Sequence, residues 1–596
     1  MTSKKFSNES LPTWDLTDLY NSISDKEITK DFKIINKKCD DFVEKYQNKI
    51  DKISAKDLLQ AIKNYEEISQ KISKISTYSY LVYSSDLSNQ DNINFYQNTS
   101  EKINDLENKI LFFCLELNEI SNKKFDDLFA DNSLKFYQPF LRDLRVFKPY
   151  QLSKELEKFA LEKDITSRSA FVRLFDETIN NLKFSYENKS LNSQETFDLL
   201  SNTDRNIRQK AGQSIIETFC NNAKLFAFIT NILAKDKAII DQYRGFKNPI
   251  SPRNLTNFVE DKIVETLIEN VKDNYANISH KYYQLKAKIL NLPKLDFYDR
   301  GAPLFSKDNE KISWDDAKNL VLDAYQEFNP QMAQIAKKFF DNNWIDAKVV
   351  AGKDSGAYSH PCVPDVHPYI LMNFQGKTRD VMTLAHELGH GIHQYLARKQ
   401  GHLMAQTPLT LAETASVFGE QLVFQKILNN EKNPQKKRII IANKIEDMIN
   451  TVVRQIAFLD FESKIHNARK KYELPLDEIN NYWLEVQKES LGSAFNFDDG
   501  YKYFWCYIPH FIHSPFYVYS YAFGDCLVNS LYGIYQQNKI KDFDNKYLQM
   551  LELGGTKHHK AMLEPFGLDI SKGDFWQSGL NVIIGYINQL DALLKD

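Results

Sequence analysis

The fold of this chain is decided by residues 379–401, RDVMTLAHELGHGIHQYLARKQG. Thr378 is a suitable N-cap, no proline interrupts the run, and Gly401 stands where a left-handed C-terminal residue belongs. These features predict a single helix. At 100° per residue, His386 and His390 lie one turn apart on the same face, where two imidazoles can converge on one tetrahedral zinc ion.

Glu387 lies beside the first histidine and completes an H-E-x-x-H pattern, in which the glutamate acts as a base toward the attacking water. The alternative is that these are surface or core histidines that fall four residues apart by chance. His393 continues the stripe, but it lies ~10 Å along the helix axis from His386. This spacing favours a packing or supporting role for His393 over a role as third ligand.

The third metal ligand has to come from another part of the chain. Metzincins need H-E-x-x-H-x-x-G-x-x-H, and here the glycine position is His393 and the last histidine position is Leu396, so that class is excluded. Downstream, Thr407-Pro408 supplies an N-cap and a first-turn proline for a second helix, PLTLAETASVFGEQLVF. Glu413 on that helix is the favoured third ligand. Glu420, two turns later on nearly the same face, is the competing candidate.

Composition excludes several classes of function. The 596 residues include 76 basic and 79 acidic residues, and a net charge of −3 gives no strong field toward nucleic acid or an anionic membrane. The six cysteines are scattered without a C-x-x-C pair, which argues against a disulfide framework and suits a reducing compartment. The N-terminal MTSKKFSNESLPTW has no apolar core for a signal peptide, and no run of 18 apolar residues occurs. A cytoplasmic location is therefore expected.

Residues 1–211 contain no glycine and only three prolines, a composition that predicts long helices. Apolar residues at three- and four-residue spacing predict packed antiparallel helices over 27–49, 55–88 and 91–121, although such stripes can also form a coiled-coil partner site. The helical pattern continues from about 190 to 345. We therefore expect an N-terminal helical lobe over 1–190 and a catalytic domain over 191–596.

Glycines, prolines and short β-prone runs appear together only between about 345 and 377. Val349-Val350 and Tyr369–Phe374 are predicted as strands, and this is the only region expected to form a sheet.

Residues 501–527, YKYFWCYIPHFIHSPFYVYSYAFGDCL, concentrate histidines and phenols in one segment. Ser514-Pro515 is predicted to start a helix there. On that helix Tyr517 and Tyr521 share a face, whereas Tyr519 points about 200° away from Tyr517. Upstream, Arg454 and Glu462 are interpreted as solvated or salt-bridged side chains.

The sequence TLAHELGHGIHQ followed by LAETAS resembles the oligoendopeptidase F family, whose members are relatives of thimet oligopeptidase. The similarity extends beyond the motif and covers most of the chain. Further stretches occur in the order expected for the family: LPTWDLTDLY, RGFKNPISPRNL near 250, GKDSGAYS at 352–359, HPYILMNFQG at 367–376 and HSPFYVYSYAFG at 513–524.

The resemblance implies a mainly α fold, in which two helical lobes enclose a deep substrate channel and one small β-sheet lies beside the zinc-binding helix. It implies a zinc endopeptidase that hydrolyses short oligopeptides in intracellular peptide turnover, with one Zn²⁺ per chain at His386, His390 and Glu413. The zinc would polarise the scissile carbonyl, and Glu387 would take a proton from water and deliver it to the departing amine.

The resemblance also implies that the edge of the small sheet pairs with the substrate backbone. The residues concerned are Gly352, Ser355, Gly356, Ala357 and Tyr358. Pairing of this kind reads main chain and not side chains, which suits an enzyme that accepts many peptide sequences. The alternative is a structural hairpin that supports the zinc helix.

His510 and Tyr517 or Tyr521 match the family's position for donors that stabilise the oxyanion. Tyr519 is a further candidate for the aligned phenol, and an aromatic helix packed in a core is the alternative.

Two other functions stay open. A metallocarboxypeptidase can use the same scaffold, and a catalytically silent protein can bind peptides. Short peptides are the expected partners, nucleic acid and membranes are not, and the sequence does not indicate the oligomeric state.

Overall fold

The computed structural model describes residues 11–305, 311–497 and 499–595. Most of the N-terminal stretch from which the absence of a signal peptide was predicted, residues 1–10, lies outside the described residues. Helices account for 71% of the chain, and the sheets are small. The predicted mainly α class is therefore confirmed. No described helix is both long enough and apolar enough to cross a membrane.

The helices and strands have the following bounds. Residues 11–148 form α1 (Lys26–Tyr46), α2 (Ala55–Ser85), α3 (Gln90–Ile110), α4 (Phe112–Glu119), α5 (Asn122–Phe129) and α6 (Gln138–Val146). Residues 149–305 form α7 (Lys154–Asp164), α8 (Arg168–Asn181), α9 (Ser193–Leu199), α10 (Arg205–Arg244), α11 (Ser251–Thr256), α12 (Asp261–Asp273) and α13 (Lys281–Ile289). Residues 311–430 form α14 (Trp314–Phe328), α15 (Pro330–Asp341), α16 (Thr378–Ala397) and α17 (Leu409–Asn430). The remainder forms α18 (Pro434–Thr451), α19 (Val453–Arg469), α20 (Leu476–Leu491), α21 (His510–His513), α22 (Tyr519–Gln536), α23 (Phe543–Glu552), α24 (His559–Leu563) and α25 (Gly573–Leu593). The strands are β1 (Phe184–Tyr186), β2 (Lys189–Leu191), β3 (Leu295–Asp296), β4 (Ile345–Asp346), β5 (Tyr358–His360), β6 (Tyr369–Leu371) and β7 (Phe495–Asn496).

The chain divides into two compact units, each built from separate segments. The first unit combines Met1–Lys148, Asn309–Asn429 and Asn538–Leu568, and the second combines Pro149–Asp308, Asn430–Gln537 and Asp569–Asp596. The division into an N-terminal lobe over 1–190 and a catalytic domain over 191–596 stays a prediction, as does the substrate channel.

The first unit contains a bundle of α1, α2 and α3. Ser54 begins α2 by accepting the backbone N–H of Asp57 at 3.1 Å. Along the helix Ile68, Ile72 and Ile75 recur at four- and three-residue spacing and are at most 3% exposed. Each such side chain contributes about 1.5–3 kcal/mol when it is fully buried. The helices predicted from this spacing over 27–49, 55–88 and 91–121 are therefore confirmed, with the third divided into α3 and α4.

The second unit is organised on α10, which contacts α8, α19 and α20. Asp204 accepts the backbone N–H of Asn206 at the start of this 40-residue helix, and Gly245, with φ of 85°, ends it. Near its first turns the fully buried Asp299 accepts hydrogen bonds from Arg205 and Arg208 at 2.8–3.2 Å. These bonds compensate for burial of the carboxylate.

A three-stranded sheet in the first unit has the order β4-β6-β5. Ile345 pairs with Ile370 in the parallel half, and Ser359 pairs with Ile370 in the antiparallel half. The predicted strand at Tyr369–Phe374 is confirmed for β6. The predicted strand at Val349-Val350 is wrong, because the parallel pairing partner is β4 and the two valines lie in the loop after it.

Two further sheets in the second unit show that the expectation of a single sheet region was wrong. The strands β1 and β2 form an antiparallel hairpin, and β3 pairs with β7 in parallel. The hairpin turn contains Glu187 with φ of 53°. Since a non-glycine residue occupies that left-handed position, the sequence lacks the usual turn signal.

Candidate metal centre and catalytic residues

The helix α16 carries the H-E-x-x-H pattern, and the prediction of a single helix here is confirmed. Its N-cap is Lys377, not Thr378, which is the first helical residue. Asp380 in the first turn accepts the backbone N–H groups of Gln375 and Lys377 at 2.8 and 2.9 Å, and so fastens the residues that lead into the helix. After the helix, Gly401 has φ of 79°, a conformation that favours glycine, as its position predicted.

Three side chains from α16 and α17 form what we call the metal cluster: His386, His390 and Glu413. The Glu413 Oε2 atom lies 3.3 Å from the His386 Nε2 atom and 3.4 Å from the His390 Nε2 atom. One ligand atom from each residue lies within 4.8 Å of the others, and no second group of this kind occurs in the part of the chain that the structure describes. Each side chain remains partly exposed. Two imidazoles and a carboxylate with an open side form the protein donor set of a catalytic zinc site.

A glycine brings α16 and α17 close enough for Glu413 to reach the histidines. A Cβ atom at Gly389 would lie 2.6 Å from the Cα of Ser416 and would also clash with the Ala415 carbonyl oxygen. At Gly419 on α17 a Cβ would clash with the Tyr325 hydroxyl on α14 and would lie 3.3 Å from the Ala385 carbonyl oxygen. The helix α17 begins at Leu409, after the predicted first-turn proline.

Glu420 occupies a different position from the metal cluster. Its Oε2 atom lies 3.3 Å from the Nδ1 atom of His386, on the side of the ring opposite the Nε2 that faces Glu413. A carboxylate on Nδ1 orients a ligating imidazole and fixes its tautomer. Ser416 similarly donates a hydrogen bond of 2.7 Å to the Glu413 carboxylate. These contacts leave Glu413 as the third member of the metal cluster and make Glu420 a supporting residue.

The charges around the metal cluster favour a cation at its centre. Burial lowers the pKa of His386, but the hydrogen bonds that its ring donates to Glu413 and Glu420 outweigh burial and raise that pKa to about 10. Burial raises the pKa of Glu413, but its hydrogen bonds to both histidines hold it well below its ordinary value. With Glu387 adjacent, three carboxylates surround two imidazoles. A divalent cation supplies the positive charge that this donor set requires, so the residues fit a zinc ion.

Glu387 lies beside the metal cluster and is 6% exposed. Burial raises the pKa of its carboxyl. A buried carboxyl with a raised pKa is suited to accept and return a proton. His393 lies outside the metal cluster. It is buried, which lowers its pKa to about 4, and this environment matches the packing role predicted for it.

The strand β5 is an edge strand of the three-stranded sheet and is fastened to α16. Gln394 accepts the Ser359 hydroxyl hydrogen at 2.8 Å and donates to the Ser359 carbonyl at 3.0 Å. The small sheet therefore lies beside the H-E-x-x-H helix, as predicted.

The predicted substrate-binding residues immediately precede or begin β5. Gly352, with φ of 86°, accepts the Leu87 backbone N–H at 2.6 Å through its carbonyl. Tyr358 shares a hydrogen bond of 2.5 Å with Ser84 through its hydroxyl. These contacts fasten the segment to the end of α2, a role that the sequence did not indicate. At Gly356 a Cβ would approach only Asp354, which leaves space over the backbone.

In the second unit His510, Tyr517 and Tyr521 form what we call the phenol cluster. The Tyr521 hydroxyl lies 3.4 Å from the His510 Nε2, and the Tyr517 and Tyr521 ring centroids are 5.2 Å apart. Burial lowers the pKa of His510, and the charge of Arg454 acts in the same direction. An imidazole with a lowered pKa and two phenol rings are therefore grouped together.

The prediction that a helix starts at Ser514-Pro515 is wrong. Residues 514–518 form a turn, and α22 begins at Tyr519. Phe516 in this turn has φ of 60°. Tyr517 and Tyr521 nevertheless meet, as predicted, but the turn and not a helical face brings them together. Tyr519 is fully buried and accepts a hydrogen bond of 2.8 Å from Asn257, which separates it from the phenol cluster.

The interpretation of Arg454 and Glu462 as solvated or salt-bridged side chains also fails. Arg454 donates a hydrogen bond of 2.7 Å to the Tyr507 hydroxyl and lies over the Phe458 ring. Glu462 is 2% exposed and accepts the backbone N–H of Phe516 at 2.8 Å. The sequence placed both residues on a charged amphipathic helix, where exposure is the usual outcome, and it held no signal for these partners.

Comparison with known proteins identifies the family of this chain. The family model described as peptidase family M3 matches residues 198–582, and one described as oligopeptidase F matches residues 116–184. An oligoendopeptidase F homolog of Borreliella burgdorferi is 28% identical over 98% of each chain, and oligopeptidase PepF of Bacillus subtilis is 24% identical over 98% of this chain and 87% of that protein. The structure of oligoendopeptidase-F from Enterococcus faecium aligns with a TM-score of 0.71 at 20% identity, over 96% of this chain and 99% of that chain. The match to the peptidase family M3 model covers well over half of this chain. The chain therefore belongs to peptidase family M3 and is a metallopeptidase.

Proposed function

We propose that this protein is a zinc-dependent endopeptidase that hydrolyses short oligopeptides, with one Zn²⁺ per chain held by His386, His390 and Glu413. The observation that carries the proposal is the convergence of these three ligand atoms beside the buried Glu387. When bound there, zinc supplies Lewis-acid chemistry, which polarises a carbonyl and brings the pKa of water toward about 7.

Glu387 acts as the general base and then as the general acid. Its carboxylate takes a proton from the attacking water and delivers it to the amine that leaves when the peptide bond breaks. Glu420 holds the His386 ring through Nδ1.

His510 and the phenols of Tyr517 and Tyr521 donate hydrogen bonds to the oxyanion that develops on the scissile carbonyl. Phenol hydroxyls and a correctly oriented imidazole N–H are suitable donors, because they stabilise charge that is present in the transition state and absent from the ground state. The support for this role is the grouping of the three side chains together with their match to the family's motif position.

The substrate backbone pairs with the segment that leads into β5, at Gly352, Ser355, Gly356, Ala357 and Tyr358. This pairing requires an extended chain, since a peptide adds to a sheet edge only as a strand. The substrates are therefore peptides of roughly 5 to 20 residues, and a folded domain does not offer the required free strand.

Two alternatives can be separated from this function in one assay. The zinc-loaded enzyme is incubated with a peptide blocked at both ends and with the same peptide carrying a free C-terminus, and the products are identified by mass spectrometry. An endopeptidase cleaves both internally, a metallocarboxypeptidase removes residues only from the free form, and a catalytically silent binder leaves both intact. Internal cleavage of the blocked peptide is expected.

The requirement for an extended substrate is tested with one protein in three states. Initial cleavage rates are compared for the native fold, the denatured chain and short synthetic fragments of it. Rapid cleavage of the fragments and survival of the native protein are expected. Rapid cleavage of the native form would contradict pairing with an extended strand even if every metal ligand proved correct.

The proposed catalytic domain, 191–596, contains all of these residues, with 1–190 as an N-terminal helical lobe. We place the enzyme in the cytoplasm, where it takes part in intracellular peptide turnover. The support is that all six cysteines are unpaired, which suits a reducing compartment.

A further inference from the structure

The phenol cluster depends on an irregular turn between α21 and α22. Phe516 has φ of 60° within this turn, a left-handed conformation that is unfavourable for a bulky aromatic residue. Tyr517 follows directly, and its place beside Tyr521 depends on the path of the chain at Phe516. Contacts from elsewhere have to hold the backbone here, since residues 514–518 lie outside regular helix.

Two side chains from other helices hold the peptide group that joins Pro515 to Phe516. The Glu462 Oε1 atom on α19 accepts the Phe516 N–H at 2.8 Å, and the Arg253 Nε atom on α11 donates to the Pro515 carbonyl at 3.3 Å. The Phe516 ring is 1% exposed and lies 4.9 Å from the His466 ring. The Arg253 guanidinium also lies over the Tyr517 ring at 5.8 Å.

Glu462 is an unusual residue to find at this place. It is 2% exposed, and its Oε2 atom has no hydrogen-bond partner among the described residues. The cations that face it, Arg253 and Lys237, act only at longer range, and Lys237 is itself bonded to Asp241 at 2.6 Å. Burial raises the pKa of Glu462 to about 8, so the carboxyl is largely neutral at pH 7. The contact that compensates for its burial is the hydrogen bond to Phe516.

We infer that Glu462 is a positioning residue, which fixes the Phe516 turn through its hydrogen bond to the backbone and thereby places the Tyr517 phenol beside His510 and Tyr521. This inference rests on the proposed function of the phenol cluster in oxyanion stabilisation. Glu462 does not touch the reacting atoms. Its effect on catalysis passes through Tyr517, and it therefore acts on kcat and not on metal binding.

The test compares Glu462→Leu, which removes the acceptor, with Glu462→Gln, which keeps a carbonyl in its place. We expect Glu462→Leu to lower kcat by about 10- to 100-fold, the usual effect of displacing a supported group, with KM changed less than about twofold and one zinc per chain retained. Glu462→Gln should recover most of that loss. A merely structural role predicts equal loss in both variants or a parallel loss of zinc, and either result would overturn the inference.

Asp460→Asn on the same helix is the matched control. Asp460 pairs with Lys272 at 2.9 Å and has no contact with the turn, so this variant should keep the wild-type kcat. If Glu462→Leu proves too unstable for assay, Glu462→Ala removes the same acceptor and should show the same loss of kcat.

Two further measurements separate failure of this inference from failure of the proposed function. If Tyr517→Phe and His510→Ala lower kcat but folded Glu462→Leu does not, the inference is wrong and the oxyanion role stands. If neither of those two variants lowers kcat, the oxyanion role fails, and the crystal structure of Glu462→Leu still decides whether Glu462 positions Tyr517.

In that crystal structure we expect Phe516 to leave the left-handed region and the Tyr517–Tyr521 centroid distance to exceed its present 5.2 Å. An unchanged turn would overturn the inference.

Discussion

The metal cluster and the phenol cluster differ in what holds them together. His386 and His390 are one turn apart on the regular helix α16, and Glu413 approaches from the regular helix α17. In the phenol cluster Tyr517 is placed by a turn with a left-handed Phe516, and the stabilising contact comes from Glu462 on another helix. Local helical geometry thus accounts for two of the three members of the metal cluster, whereas tertiary contacts account for the phenol cluster.

This difference has an energetic consequence. A helix repeats one conformation, so substitutions along it rarely move a ligand unless they alter packing against the neighbouring helix. A turn with a positive φ at a non-glycine residue persists only while its surroundings enforce it. The metal cluster should therefore lose its geometry when a ligand or the interhelical contact is removed. The phenol cluster should lose its geometry when its supporting contacts are removed.

The largest expected effect on turnover comes from substitution of Glu387. This residue lies beside the metal cluster but is not one of its three members. Glu387→Gln should reduce kcat by about 10²- to 10⁴-fold, because the amide cannot accept the proton from water. Zinc should remain at about one ion per chain, since His386, His390 and Glu413 are intact. The measurements are peptide turnover and metal content by mass spectrometry. Loss of zinc together with activity would show that Glu387 is a ligand and not the base.

The second prediction distinguishes the third member of the metal cluster from its neighbour. Glu413→Ala should weaken zinc affinity by more than about 100-fold, because a direct donor is lost, whereas Glu420→Ala should cost about 10- to 100-fold through disorder of the His386 ring. Competition with a chelator of known affinity measures both values. If Glu420→Ala releases the zinc and Glu413→Ala does not, the assignment of the third ligand is wrong.

The third prediction concerns the interhelical contact that brings Glu413 to the histidines. Gly389→Ala places a methyl group against the Ala415 carbonyl and within 2.6 Å of the Ser416 Cα, so α16 and α17 must separate. We expect a loss of about 1–3 kcal/mol in the free energy of unfolding, together with weaker zinc binding.

Gly585→Ala on α25 is the control for that substitution. Its Cβ meets no atom within 4 Å, so alanine should stabilise this helical position by about 0.5–1 kcal/mol. Denaturant midpoints and chelator competition measure both variants. Equal stability changes at the two glycines would show that the close approach at Gly389 is not required.

The sequence was informative where regular periodicity governs the structure. The 3.6-residue repeat was enough to place His386 and His390 on one face. It also put both Glu413 and Glu420 on the following helix, and Glu413 was favoured of the two. The reason that Glu413 reaches the site was missed. Gly389 has an unstrained helical backbone, and only the approach of α17 reveals why a side chain is excluded there.

The sequence was least informative where a local rule was overridden by distant contacts. Ser514-Pro515 is a good helix start by local preference, yet the bond from Phe516 to Glu462, 54 residues away, accompanies a turn in its place. Val349-Val350 has strand propensity, but backbone pairing with β6 is made by Ile345–Asp346 instead. The sequence indicated that Glu462 is solvated or salt-bridged, because a charged side chain on a helix usually faces solvent. No local pattern identifies a carboxyl whose partner is a backbone N–H in another segment.

The smallest expected effect is a change in the free energy of unfolding with pH. It arises from Glu462, the residue that supports the phenol cluster. The pKa of Glu462 is raised from 4.5 to about 8 by burial. Below pH 4.5 the carboxyl is neutral in both the folded and the unfolded chain, and its contribution to stability is fully present. As pH rises toward 8, the unfolded chain loses this proton while the folded chain keeps it, so the contribution is lost. Above about pH 8 both states are ionised, and the loss levels off.

Glu462→Gln removes this titration and keeps the carbonyl that accepts the Phe516 N–H. The difference in unfolding free energy between the variant and the wild type should therefore change in favour of the variant by about 1 kcal/mol from pH 6 to pH 7, since one pKa unit corresponds to about 1.4 kcal/mol. Urea midpoints at half-unit intervals from pH 5 to pH 9 measure this difference, and subtraction cancels the other titrating groups that the two proteins share. A flat difference for Glu462→Gln would mean that the carboxyl is already ionised at pH 6. The Phe516 turn would then be held by a buried carboxylate and not by a neutral acceptor.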